Sequence, residues 1–523
     1  MRERNQAALS HKRDEPAASR SETGARSGIV AVALIFLAAC SGEPKPGASA
    51  SPENSLNGRE LAAAACMRCH DLPSPAQLSP EDWPYLLAWM GNYLGFREES
   101  QIDSRLIDRK AVPAAPVISK EQFEAIRSYY MAGSAIQYEF PKPTPPPSVS
   151  TLFEPVLLDV PPSVITMVAI DPVDRMLIIG SSRPAALLFV RNGTIESVEV
   201  NSEPVTFERV GASRRIALMG HIGYDAGIGS VLDFAAPGNQ RSLIVSGHPR
   251  IADHATADVD GDGTDDLLVC GFGDYSAGRV GIWWGGGGKW TEQVLTQEGG
   301  AVWCGIADLD GDGDRDIVLA LANGRPRLLA FVNDGSRKLT ARVIVERPVG
   351  WGYNRCLLVD WDGDGRPDIV ELAGNNLELR GRPLKAHHGI RVLHNDGNWQ
   401  FRETLFERLQ GAIDVVAGDF DRNGRVDLAV TAFYPDWRPE FPTTFLLLLQ
   451  RPDGSVERAG IADRLWQRWM RIGVGDADGD SDLDLLLGAA VAQNGVPARH
   501  TEQYQKLVSG KSSVLLLRNQ SVP

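Results

Sequence analysis

One nine-residue pattern recurs five times in the second half of the 523-residue chain, and it limits what the chain can fold into. Its first copy reads Asp258-Val-Asp260-Gly-Asp262-Gly-Thr264-Asp-Asp266, and later copies open at Asp308, Asp360, Asp419 and Asp476. The intervals are 50, 52, 59 and 57 residues. Each copy stands between short apolar runs, such as Asp266–Cys270 after the first and Asp316–Ala320 after the second. Short apolar runs bounded by turns read as strands, and a period of this size has room for one four-stranded blade.

Within each copy, acidic side chains at positions 1, 3 and 5 point inward around a tight loop. The position-7 carbonyl and the position-9 Asp complete an oxygen cage for a hard cation of Ca²⁺ size, and Gly at position 6 permits the sharp turn. The five expected ligand sets are Asp258, Asp260, Asp262, Thr264 and Asp266; Asp308, Asp310, Asp312, Asp314 and Asp316; Asp360, Asp362, Asp364, Arg366 and Asp368; Asp419, Asp421, Asn423, Arg425 and Asp427; and Asp476, Asp478, Asp480, Asp482 and Asp484. Asn423 swaps one carboxylate for an amide and Ser481 replaces the position-6 Gly, so the last two copies should bind more weakly. The loop is like the first half of an EF-hand, but no helices flank it. A Glu stands at position 12 only once, at Glu371, which reads as coincidence.

The pattern resembles the FG-GAP/VCBS repeat. That resemblance implies a β-propeller with Ca²⁺ in an inter-strand loop, and up to five ions here. Two degenerate units, Val164 to Gly180 around Asp171 and Val205 to Gly220 around Gly211, keep the strand-loop-strand frame without the ligands. Five units and two make seven blades, with six or eight as alternatives. The last unit supplies three strands, Met470 to Val474, Leu483 to Gly488 and Ser513 to Arg518. Its missing outer strand should be Thr151 to Val160, which closes the ring and removes open edges.

The formal charge is −14, and no Lys/Arg cluster outside the N-terminus offers a basic face, which excludes nucleic acid as a partner. Nineteen Asp residues occupy side-chain ligand positions of the five loops. Five Ca²⁺ would bring the net charge to about −4, so much of the acidity serves metal.

At the N-terminus, Arg20 and Arg26 precede an apolar run from Gly28 to Ala39, followed by Cys40. The run is too short to span a bilayer permanently and reads as a secretory signal over residues 1–39. Leu37-Ala38-Ala39-Cys40 resembles a lipobox, which implies that Cys40 becomes the acylated first residue and anchors the chain to a membrane. Ser41 lacks the Asp associated with inner-membrane retention, so an outer-membrane position facing the periplasm or cell surface is expected. Residues 40–55 form a Gly/Pro/Ser-rich tether.

Residues 56–140 carry Cys66-Met67-Arg68-Cys69-His70, the C-x-x-C-H motif of covalent haem attachment. Its two thiols reach the haem vinyl groups and the adjacent His lies under the iron. The region resembles small bacterial cytochrome c domains, with C-x-x-C-H, then W…M-x-x-x-x-G, then a helix ending in a Tyr-Tyr pair. The resemblance implies a small all-α domain with one haem c, attached through Cys66 and Cys69, ligated by His70 and by Met90; Met131 is the alternative sixth ligand. Residues 141–150, with Pro141, Pro143 and Pro145 to Pro147, read as a semi-rigid spacer holding this domain away from the propeller at 151–522.

Three cysteines remain, Cys270, Cys304 and Cys356. Cys304 and Cys356 each lie four residues before a metal loop, and Cys270 lies four after its loop, placed opposite His254. On that register all three face the same way around the ring and are expected as free buried thiols.

Five residues before each loop stand Asp253, Trp303, Arg355, Asp414 and Arg471, which suggests a polar ring near the central channel, either a structural ion-pair network or a ligand funnel. No nucleophile-base pair, phosphate loop, clustered His set or quinone site is legible, so no catalytic residue is assigned. The reading is an electron-transfer lipoprotein whose propeller docks a redox partner protein or a surface polymer. The alternatives are a propeller oxidoreductase that passes substrate electrons to its own haem domain, and a surface adhesion protein.

Overall fold

The computed structural model describes residues 57–97, 107, 109–222, 225–235, 240–274, 277–376, 383–491, 496–509 and 512–521. The expected signal segment, Cys40 and the expected tether lie outside the described residues.

Seven sheets follow one another along the chain, and they are the seven blades expected. Their inner strands are Ile165–Ile170, Pro204–Val210, Ile251–Ala257, Ala301–Ala307, Tyr353–Val359, Ala412–Gly418 and Trp469–Gly475, and each touches the next in a closed ring. The second strands of blades three to seven are buried along their whole length, as strands packed on both faces must be. Their continuous apolar runs have that cause. The ring closes as expected: Phe153–Leu157 pairs antiparallel with Val514–Asn519 as the outer strand of the seventh blade.

The two blades without acidic loops are held by side chains instead. In the first, the buried Asp171 accepts from Arg209 and Arg214 of the second blade, both at 2.8 Å. A guanidinium pair stands where the later blades carry carboxylate clusters.

The cysteine expectation fails. Cys270 and Cys304 form a disulfide between the third and fourth blades, with Cα atoms 6.3 Å apart, and only Cys356 of the three is a free buried thiol. The error lies in the register. The hairpin pairs Ala257 with Asp266, so Cys270 opposes Asp253 and not His254. A one-residue slip sends a side chain to the opposite face. Cys270 therefore faces forward with Asp253, toward the fourth blade, while Cys304, at the neighbouring inner-strand register, faces back.

Among the described residues three α-helices precede the propeller: α1 (Gly58–Cys66), α2 (Trp83–Tyr93) and α3 (Lys120–Gln137). Asn57 caps α1 in a reciprocal box with Glu60, and Ser119 caps α3 likewise with Gln122. At Gly58 a Cβ would collide with the Ala125 carbonyl and Tyr129 Cβ, so glycine lets α1 cross α3 closely. Trp83 stacks on Tyr130 with centroids 4.2 Å apart at the centre of this small core.

The Pro-rich segment does not hold the two domains apart. Arg438 donates to the Pro141 carbonyl at 2.9 Å, Arg408 to that of Lys142 at 2.8 Å and Arg458 to that of Pro145 at 3.0 Å. Ser148–Val149 then adds a parallel fifth strand to the sixth blade. Without backbone hydrogen bonds of its own, a polyproline strand presents every carbonyl to such donors. The helices lie against the connections between second and third strands: the Tyr138 hydroxyl donates to the Leu384 carbonyl at 3.0 Å, and Asp71 pairs with Arg325 at 3.7 Å. In an up-and-down sheet those connections are at the opposite end from the acidic loops.

Candidate functional site

Three sites draw on different parts of the chain. The first stands at the C-terminal end of α1, where the backbone N–H groups of Cys69 and His70 both fold back on the Cys66 carbonyl, at 3.2 and 3.4 Å. That tight turn presents both cysteines and the histidine together. Nδ1 of His70 lies 2.7 Å from the Asp71 carbonyl. A carbonyl only accepts, so Nδ1 carries the proton and Nε2 keeps its lone pair, the arrangement of a metal-ligating imidazole oriented by its neighbour. Among the described residues the buried Tyr130 hydroxyl has no hydrogen-bond partner, and Cys66 is close enough to perturb it. These features fit a covalent haem. Met131 packs in the same cluster as Cys66, while Met90 packs in the neighbouring one with Trp89 and Ile107.

The second site is repeated. Carboxylates of Asp258, Asp260 and Asp262 converge, as do those of Asp308, Asp310 and Asp316, of Asp360, Asp362 and Asp368, and of Asp419, Asp421 and Asp427. The third loop gains an imidazole that the sequence reading missed: His394 Nδ1 lies 3.0 Å from Asp362. The position-9 carboxylates are buried and bridge the blade. Asp316 accepts from the backbone N–H of Leu309 and of Asn333, both at 3.0 Å, and Asp266, Asp368, Asp427 and Asp484 do the equivalent. Burial pushes the Asp316 and Asp427 carboxyls up to about 6, with the nearby loop aspartates adding to the shift. In the fifth loop Asp482 is pushed up to about 7, by burial and then by its hydrogen bond with Asp480.

Backbone geometry explains the glycines. Position 6 takes a positive φ in every copy, including Ser481 at φ 72°. Position 4 does so too, with Arg422 at φ 57° in the fourth loop, a requirement not seen in the sequence. Glu371 plays no part in its loop: it is fully buried, accepts from the Tyr353 hydroxyl at 2.9 Å and pairs with Arg347 at 2.7 Å.

The third site is an axial cavity of about 210 Å³ lined by six of the seven inner strands. Four of the five ring residues line it, Asp253, Arg355, Asp414 and Arg471; Trp303 does not. Arg355 bridges Asp253 at 3.6 Å and Asp414 at 3.2 Å. Thr206, Glu208 and His254 join the lining, and the Thr206 hydroxyl lies 2.6 Å from His254 Nδ1. Burial and the charges of Arg215 and Arg355 hold the His254 imidazole down at about 3, so the ring is neutral. Thr206 and Glu208 sit on a blade without an acidic loop, so no register mark singled them out.

No curated protein matches the chain. Solved structures match at low identity: the N-terminal domain of Nup159 at 8% over 72% of this chain and 98% of that one, TM-score 0.40; a calcium-binding protein, regucalcin, from Agrobacterium tumefaciens at 10% over 71% and 97%, TM-score 0.38; and an ancestral GH74 enzyme at 10% over 70% and 49%, TM-score 0.46. At those scores none bears on what this chain binds. The family comparison is more specific, since residues 258–319 and 308–371 match the FG-GAP-like repeat. The chain thus carries FG-GAP-like repeats within a seven-bladed β-propeller.

Proposed function

We propose that the protein is an exported, lipid-anchored electron-transfer protein, with haem c on the helical domain and a calcium-loaded propeller as scaffold and docking platform. The turn at Cys66-Met67-Arg68-Cys69-His70 carries this reading, because His70 offers Nε2 while Asp71 holds Nδ1. Haem bound there would supply one-electron redox chemistry. Cys66 and Cys69 would anchor it, His70 would be the fifth ligand and Met90 the sixth, with Met131 as the alternative. The helical core around Trp83 and Tyr130 would exclude water from one side.

Calcium would be held by the loops opening at Asp258, Asp308, Asp360, Asp419 and Asp476, which gather three or four carboxylates each. Their mutual repulsion is relieved by a divalent cation. Cys40 would tether the chain to the outer membrane, and the partner is a redox protein or a surface polymer. A redox titration of the purified holoprotein, with and without candidate small-molecule reductants, tests the assignment. Reversible one-electron behaviour without turnover supports electron transfer; substrate-dependent reduction supports the second reading, an oxidoreductase, which the charged axial cavity favours.

A further inference from the structure

The direct contacts of the axial cavity leave one basic and one acidic side chain incompletely partnered. Arg355 pairs directly with both Asp253 and Asp414. Those carboxylates also accept backbone N–H groups, Asp253 from His254 at 3.0 Å and Asp414 from Val415 at 3.1 Å and Ile472 at 3.2 Å. This part of the ring is complete. Arg471 is different: its Nε–H donates to the Thr166 carbonyl at 2.8 Å, and among the described residues no carboxylate pairs with its terminal amino groups.

Glu208 is the opposite case. Its Oε1 accepts from the Thr256 N–H at 3.2 Å, but among the described residues its buried Oε2 has no hydrogen-bond partner. Nor has the buried His254 Nε2, which lies 3.6 Å from it, too far for a hydrogen bond. Burial holds the Glu208 carboxyl above its ordinary range, Arg215 opposing that only in part, and the neutral His254 adds no positive charge beside it. Arg471 is on the seventh blade and Glu208 on the second. Between them the first blade contributes only Met167, Val168 and Ala169 to the lining.

We propose that the axial cavity binds a small zwitterion, an amino acid whose carboxylate meets Arg471 and whose ammonium meets Glu208. A guanidinium presents a planar pair of donors that a carboxylate takes in bidentate fashion. An ammonium has three donors, enough to satisfy the open Glu208 Oε2. One ligand bearing both charges satisfies both ends and brings no net charge into a buried space, where an unpaired ion is costly. A simple carboxylate or a simple amine would satisfy one end and leave the other.

Isothermal titration of the calcium-loaded holoprotein tests this with a ruler of zwitterions: glycine, β-alanine, γ-aminobutyrate, 5-aminovalerate and 6-aminohexanoate, alongside acetate and ethylamine. One chain length should bind about tenfold or more tighter than either half-ligand. Arg471→Gln and Glu208→Gln should each weaken that binding about tenfold or more, and Arg471→Gln should also abolish acetate binding. Absence of binding by the whole series up to about 10 mM, or no preference for any zwitterion over acetate and ethylamine, would overturn the proposal on the wild-type protein alone. Binding unchanged in both variants would overturn it equally.

Discussion

Cys270 on the third blade and Cys304 on the fourth, 34 positions apart in the chain, are covalently joined across the blade interface. A closed loop of that length is worth about 3–4 kcal/mol through the unfolded state. Cys270→Ser should therefore lower the propeller's melting temperature by several degrees. Thiol counting in denaturant without reductant should find one propeller thiol, Cys356, and a count of three would contradict the pairing.

Calcium should act as a folding partner. Metal that binds only the folded ring stabilises it by about 2.7 kcal/mol per site at a hundredfold excess over the dissociation constant, and the sites share one closed ring. Chelation should lower the propeller's melting temperature sharply in calorimetry. Asp360→Ala, in a loop with all ligands, should remove more of the calcium-dependent stability than Asp476→Ala, in a loop that already holds Ser481 at φ 72°.

Acid should destabilise the ring through its buried histidines. Burial holds His248 at about 4 and His254 and His387 at about 3, below the ordinary value near 6.5. Above pH 6.5 the neutral rings are the same in both states, so this stability is fully present there. As pH falls from 6.5 toward the folded values, the unfolded chain takes up protons that the fold refuses, and each residue loses about 1.4 kcal/mol per pH unit. Melting curves in chelator from pH 7 to pH 5 should slope less steeply in His254→Gln than in the wild type.

How much could be read beforehand depended on what marks register. Repeated acidic loops mark it every blade, so the blade count, the closing strand and four members of the axial ring were legible from aspartate spacing. Cys270 was not, because its face turns on whether Asp266 pairs with Ala257 or with Asp258, and spacing alone does not decide that. Glu208 and Thr206 were hidden on a blade without an acidic loop. Linker docking was invisible for another reason: a run of prolines specifies a stiff strand, but the arginines that hold it, Arg408, Arg438 and Arg458, come from far along the chain.

That docking has its own consequence. With its carbonyls taken by three arginines, the linker should resist protease in the folded protein. Arg408→Ala combined with Arg438→Ala should expose it, and limited proteolysis should then cut between the helices and the propeller several times faster. Equal rates would mean that these contacts do not hold the linker in solution.

The sixth iron ligand is open to a direct choice. Met90→Ala should abolish the weak charge-transfer absorption of Met-ligated ferric haem, whereas Met131→Ala should leave it. The reverse result would assign the ligand to Met131, which packs in the cluster containing Cys66.

The haem itself is the claim on which electron transfer rests, and a pyridine haemochrome assay on the purified protein measures it most directly. One covalent haem c per chain is the expected result, with haem staining on a denaturing gel lost in Cys69→Ala. A protein without haem, or staining that survives Cys69→Ala, would contradict it.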